Sequence, residues 1–96
     1  MKDLKPYLLK EFPDEDGNYV YLLLCENNSL YCGWTTNLKK RYEKHANGTG
    51  AKYTRMHRPI GIFYYESFEK AIYAQKREYA IKRMTHKEKC ALRMIY

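Results

Sequence analysis

The chain has no apolar run longer than the seven residues from Tyr19 to Cys25, far short of the roughly 18 that a membrane-spanning helix needs. Its opening residues, Met1-Lys2-Asp3-Leu4-Lys5-Pro6, carry no apolar signal-peptide core, so the sequence predicts a cytoplasmic protein with no membrane attachment. Cysteine is scarce and odd in number. Cys25, Cys32 and Cys90 lack CxxC spacing, which excludes a disulfide framework or a zinc finger. Cys25 and Cys32 lie in strand-like runs and read as small buried hydrophobes of a reducing compartment. There are only 5 glycines and 3 prolines, and there is neither an internal repeat nor a low-complexity segment. Disorder is therefore excluded. At 96 residues the chain suits one domain and one core.

Negative charge is also in short supply. Eleven Asp and Glu face 18 Lys and Arg, for a net charge of +7. On so small a domain that excess attracts polyanions, because bound Lys and Arg release counterions from a phosphate backbone. Anionic membrane is the rival target, but it calls for a basic amphipathic helix or a lipid anchor, and neither motif occurs.

What is present is a clear succession of elements. Residues 1–17, with Pro6, Pro13 and an acidic turn at Asp14-Glu15-Asp16-Gly17, read as a lead-in arm outside the core. The segment from residue 18 to residue 96 reads as the domain proper. Tyr19–Cys25 is a strand, Asn27-Asn28-Ser29 a turn and Leu30–Thr35 a second strand, which together predict an antiparallel hairpin. Gly33 within the second strand points to a bulge or a close backbone approach. Thr36 or Asn37 caps a helix carrying Leu38, Tyr42 and Ala46, with Gly48 as its stop. Residues 48–59 read as a basic loop and Ile60–Tyr65 as a third strand. Ser67 is expected to cap a helix over 68–83. The capping-box sequence Thr85-His86-Lys87-Glu88 starts a last helix. The order is ββαβαα, an α+β fold with one small sheet.

Three places carry candidate chemistry. On a helical wheel of residues 68–83, Ala71, Ala74, Tyr79 and Ile81 share one side, and Glu78 falls among them. A carboxylate there needs a partner: either a salt bridge to Lys82 one turn on or a metal ion. Arg41 and His45 are also one turn apart and border the Leu38/Tyr42 stripe. A guanidinium beside an imidazole makes a phosphate clamp; the alternatives are a solvated arginine and a histidine favouring the helix C-terminus. In the basic loop, Lys52, Tyr53, Arg55 and Arg58 interleave positive charge with an aromatic ring, the pattern that tracks phosphates and stacks a base.

These residues also fit one known pattern in order. Tyr19-Val20-Tyr21, followed by Tyr31-Cys32-Gly33, resembles the paired motifs of the GIY-YIG nuclease superfamily, and Leu38-x-x-Arg41-x-x-x-His45 resembles its first helix. Gly50-Ala51-Lys52-Tyr53-Thr54 and Arg77-Glu78-Tyr79-Ala80-Ile81-Lys82-Arg83 are similar to segments of its small standalone bacterial branch, which resembles the nuclease domain of junction-cutting subunits. The sequence departs from the motif names at Tyr19, Val20 and Cys32, positions concerned with packing. The resemblance implies a three-stranded antiparallel sheet flanked by helices and metal-dependent hydrolysis of phosphodiesters in nucleic acid, with DNA favoured over RNA and branched or damaged DNA as one target. It implies that Tyr21 and Tyr31 stand beside the attacking water, that Arg41 holds the scissile phosphate, and that His45 assists. Glu78 would bind one Mg2+ or Mn2+ ion. It also leaves room for a protein partner that supplies target choice. A catalytically silent nucleic-acid-binding domain of the same fold is the alternative.

Overall fold

The computed structural model describes residues 2–93. Strand β1 (Tyr19–Cys25) is buried along its whole length, because it is the centre of a three-stranded sheet of order β2-β1-β3. β2 (Leu30–Thr35) and β3 (Pro59–Ser67) both pair antiparallel to it. A central strand covered on both faces reads as a continuous apolar run rather than an alternating one, and its two faces feed two clusters. Val20, Leu22 and Leu24 pack with Phe63, Ala74 and Ile81 on one side. Tyr19, Tyr21 and Leu23 pack with Leu38 and Ile62 on the other.

Among the described residues four α-helices flank the sheet: α1 (Leu38–Ala46), α2 (Lys52–Met56), α3 (Ala71–Lys82) and α4 (His86–Ala91). Asn37 caps α1 by accepting the Lys40 backbone N–H at 3.0 Å, and its own amide donates to Asp16 at 3.0 Å. Thr85 and Glu88 complete the expected capping box of α4. The α+β fold read from the sequence is the fold observed. Among the described residues no helix is long and apolar enough to cross a membrane.

The local expectations need four corrections. The segment before β1 is not outside the core: Leu4 is 1% exposed in the Val20/Leu22/Leu24 cluster, and Leu9 and Phe12 pack on the other cluster. The Leu9 N–H donates to the Ile62 carbonyl at 2.8 Å, so this segment also supplies a partner to β3. The basic loop contains α2, a helix of little more than one turn. Ser67 does not cap a helix. It ends β3 by pairing with Tyr19, and α3 starts at Ala71. Tyr79 does not face the core; it is 65% exposed, and Arg77 takes a half-buried place instead, donating to Glu66 through Nε and Nη2, both at 2.9 Å.

Candidate active site

The site begins with two glycines. Gly33 pairs with Tyr21 across the hairpin, and a Cβ at Gly33 would lie 2.4 Å from the Tyr21 phenol oxygen. Only a hydrogen at that position lets the Tyr21 ring cross the β2 backbone, so the sequence expectation of a close approach is met and the pairing of β1 with β2 runs without a bulge. Gly50 does the same for His45: its Cβ would fall 2.4 Å from Nδ1. Both side chains are thus pressed against backbone, and they meet each other. Tyr21 Oη and His45 Nε2 are 2.9 Å apart, in a region where Tyr21 and His45 are each 2% exposed.

The direction of that hydrogen bond follows from what lies behind it. Thr54 Oγ1 donates to the Ala51 carbonyl at 2.9 Å, an oxygen that can only accept. Its single proton is thereby used, so at 2.7 Å from His45 Nδ1 it must accept. His45 therefore carries its proton on Nδ1. Its Nε2 lone pair is left for the Tyr21 hydroxyl to donate into. Burial, followed by the positive charge of Arg41, lowers the His45 pKa to about 4. The ring is neutral at neutral pH, as this arrangement requires. The Tyr21 hydroxyl is pushed well up, by burial first and then by Tyr31, with Arg41 acting in the opposite direction. A phenol beside an imidazole lone pair, and not a tyrosinate, is the resting state.

Around this pair stand the other residues singled out from the sequence. Tyr31 lies edge-on to His45 with ring centroids 5.3 Å apart. Burial raises its pKa, Lys82 and Arg41 lower it, and Glu78 raises it. The fields of Arg41 and Glu78 therefore both reach the two tyrosines, although α1 and α3 pack on different parts of the sheet. Arg41 is half-buried. Among the described residues its guanidinium has no hydrogen-bond or ion-pair partner, so it is ready for an anion. Glu78 makes the expected ion pair with Lys82 at 3.5 Å. It sits at the rim of the buried face of α3, with its side chain 21% exposed, rather than in the middle of that face.

Two clefts open on either side. One, of about 420 Å³, lies in the elbow between β2 and α1 and is lined by Trp34, Thr35, Thr36, Lys40, Arg41 and Lys44. The other, of about 330 Å³, is lined by Tyr31, Tyr53, Lys82, His86 and Lys89 among others. Tyr53 stacks on Tyr31 at 5.9 Å with the rings 15° from parallel, and its hydroxyl donates to Ser29 at 2.6 Å. It thereby joins the site. Lys52, Arg55 and Arg58 are exposed on and after α2 and line neither cleft. The sequence reading missed Thr54, which sat in a stretch taken for loop, and it missed the basic residues Lys40, Lys44 and Lys89. No spacing rule marks them.

Glu78 is the carboxylate whose field reaches both tyrosines, and it could hold a divalent cation only as a single protein ligand. Among the described residues no three His, Cys, Asp or Glu converge, so an ion there would complete its shell with water and phosphate oxygens, as Mg2+ commonly does around a single carboxylate.

Known proteins share this architecture. The GIY-YIG catalytic domain matches residues 17–91. A UPF0213 protein of Clostridium perfringens is 53% identical over 75 residues, covering 78% of this chain and 81% of the relative. Another, from Pediococcus acidilactici, is 48% identical over 81 residues, covering 82% and 83%. Among solved structures, an E. faecalis protein determined by solution NMR is 40% identical with a TM-score of 0.55, over 81% of this chain and 83% of that one. The UPF0213 protein BH0048 of Bacillus halodurans, also an NMR structure, is 38% identical with a TM-score of 0.51, over 79% and 81%.

Proposed function

The chain belongs to the GIY-YIG catalytic domain family, and from that premise we propose that it is a divalent-metal-dependent endonuclease acting on nucleic acid, with DNA its first expected substrate. The observation that carries this reading is the buried chain of contacts Ala51–Thr54–His45–Tyr21; with Thr54 donating to Ala51, the Nδ1–H tautomer is assigned to His45 and its Nε2 lone pair faces the phenol.

The chemistry follows from the residues. Arg41, with its guanidinium uncommitted, takes the scissile phosphate by a bidentate fork. Phosphate binding cancels one of the two effects that depress the His45 pKa, so the base strengthens when substrate arrives. Water beside Tyr21 then gives a proton to the phenol oxygen as the phenol passes its own to His45 Nε2, leaving an imidazolium and a neutral tyrosine. The relay thus avoids forming a free tyrosinate, which the buried site disfavours. Tyr31 supports the His45 ring and borders the water site. Glu78 would hold a divalent cation, which when bound would supply charge neutralisation at the phosphate and the leaving oxygen. Tyr53, stacked on Tyr31, meets the strand beside the point of cleavage, and Lys52, Arg55 and Arg58 track the backbone further away. A partner protein would then choose the target.

Glu78→Gln tests the metal assignment. It keeps the shape and removes the charge. The partner lost is Lys82, whose side chain is 51% exposed, so the ion pair itself is worth no more than about 1 kcal/mol. We expect cleavage of labelled DNA in magnesium to collapse and the magnesium-induced rise in melting temperature to vanish, while the melting temperature without metal stays close to wild type. A variant that still cuts and is still stabilised by magnesium removes Glu78 from the site.

A further inference from the structure

Three basic residues of the cleft beside Tyr31 serve neither the Tyr21–His45 pair nor the core. Lys82 at the end of α3 and His86 and Lys89 on α4 line one concavity of about 330 Å³, and among the described residues no carboxylate lines it with them. Lys82 pairs with Glu78 at 3.5 Å, and Lys89 donates to the Leu30 carbonyl at 3.3 Å. An ammonium carries three donors, so each lysine keeps protons for a further acceptor. Cations gathered in one cleft focus a positive potential and concentrate anions there.

The place of the cleft in the fold says which anion. β2 is an edge strand. The Ser29 carbonyl accepts from the Cys25 N–H at 2.9 Å inside the hairpin, so the alternation of an antiparallel ladder turns the backbone groups of Leu30, Cys32 and Trp34 outward. Lys89 meets the first of these. Both clefts lie along this strand, the Arg41 cleft at Thr35 and the lysine cleft at Ser29–Cys32. Between them is Gly33, over which the Tyr21 ring crosses. From Tyr31 to Thr35 a β-strand rises about 13 Å, the axial length of about four stacked nucleotides. A small anion fills one cleft and leaves the other empty. A chain of phosphates at regular intervals fills both and carries a phosphodiester past Tyr21 and His45.

We infer that the cleft lined by Tyr31, Tyr53, Lys82, His86 and Lys89 is a second phosphodiester-binding subsite. One nucleic-acid strand then lies lengthwise along β2, its backbone held by Lys40, Arg41 and Lys44 at one end and by Lys82 and Lys89 at the other. The inference rests on the nuclease reading of the site and deepens it: the substrate is a strand of at least about four nucleotides, gripped on both sides of the bond to be cut. DNA and RNA share this chemistry.

Binding is measured in chelator, where no turnover intervenes. Oligothymidylates and oligouridylates of two, four, six and eight nucleotides compete for the protein against a labelled octamer followed by anisotropy. The wild type should gain at least about tenfold in affinity from dimer to hexamer in at least one series, as the second cleft fills. The series that competes at the lower concentration identifies the sugar preferred. Replacing Lys82 and Lys89 together by alanine should remove most of that gain while leaving the dimer within about twofold of wild type, and should flatten the octamer's log–log salt slope by about 1.4, two phosphate contacts on a single strand. Lys82→Ala alone, at a side chain 51% exposed, leaves the Lys89 contact with Leu30 in place and should show about half of that change in slope. The charge-matched pair Lys39→Ala with Lys70→Ala, outside both clefts, should keep the dependence on length. A gain that survives the loss of Lys82 and Lys89 overturns the inference. So does an equal loss in the charge-matched control, or a wild type whose affinity does not rise with length. Because the readout ignores cleavage, a chain that shows the lysine-dependent gain but cuts nothing contradicts the nuclease reading alone. A chain that cuts, with a gain indifferent to the two lysines, contradicts the subsite alone.

Discussion

Tyr21 and His45 were legible as residues because their spacing matches a pattern. The partner that makes them useful was not. Thr54 decides which nitrogen of His45 holds the proton, yet it lies nine residues away in a stretch whose Gly, Lys and Arg content reads as solvated loop. Nothing in the sequence says that the atom Gly50 makes room for is an imidazole nitrogen. Thr54→Val keeps the shape and removes the acceptor, leaving Nδ1–H unsatisfied in a buried place or forcing the proton to Nε2, where it opposes the Tyr21 hydroxyl. We expect stability to fall by about 1–3 kcal/mol and cleavage to fall by about 10- to 100-fold, part of the roughly 10²–10⁴-fold that general-base catalysis contributes. Thr54→Ser restores the hydroxyl and should restore most of the rate. A rate measured per folded molecule that is equal in the valine and serine variants would make Thr54 a packing residue only.

At the scale of elements, the strands and the longer helices were readable because each carries a period or a cap: the apolar run of β1, the Asn37 cap of α1 and the capping box of α4. The failures have physical causes. Helix α2 spans five residues with no side-chain cap, too short to be stable alone, so it exists through Thr54, Tyr53 and their tertiary partners. The prolines and charges around Leu4, Leu8, Leu9 and Phe12 looked like a linker, although those four apolar residues are what the sheet faces and β3 need as cover. Helical spacing put Ala71, Ala74, Tyr79 and Ile81 on the inward face of α3; Ala74 and Ile81 are buried there, and Tyr79 is 65% exposed. In the fold Arg77 is partly buried instead, because Glu66 on β3 awaits it and Tyr64 donates to the same carboxylate. Burial pushes the Glu66 carboxyl up, and the hydrogen bonds from Arg77 and Tyr64 more than reverse this, leaving it below the ordinary range. That clamp fixes the rotation of α3 and so sets Glu78, the next residue, at the rim beside Tyr31.

Across the whole molecule, two groups make the fold sensitive to acid. His45 folds with a lowered pKa, from 6.5 to about 4, so below pH 6.5 the unfolded chain takes up a proton that the native chain refuses. The stability contributed by neutral His45 is complete above pH 6.5 and is lost as pH falls toward 4, in total about 3 kcal/mol. Glu66, also depressed, acts in the same direction, with stability present above its unfolded pKa and lost as pH falls through the folded one. Urea midpoints should therefore drop between pH 7 and pH 4.5, and His45→Gln should show a shallower drop; a flat profile for the wild type would mean that His45 is not the buried neutral imidazole described. The excess of positive charge was legible from composition alone; in the function proposed here it draws polyanions to the fold, and the Tyr21–His45 relay turns attraction into a reaction. The most direct test of that claim is single-turnover cleavage of labelled branched and single-stranded DNA by wild type and Tyr21→Phe, each in magnesium and in chelator. The variant retains the ring that Gly33 accommodates and loses only the hydroxyl that bonds His45. The account predicts cutting by the wild type in magnesium alone, and by the variant at least about 100-fold more slowly with equal DNA binding. Equal rates for the two proteins, undiminished cutting in chelator, or no cutting by the wild type would contradict it.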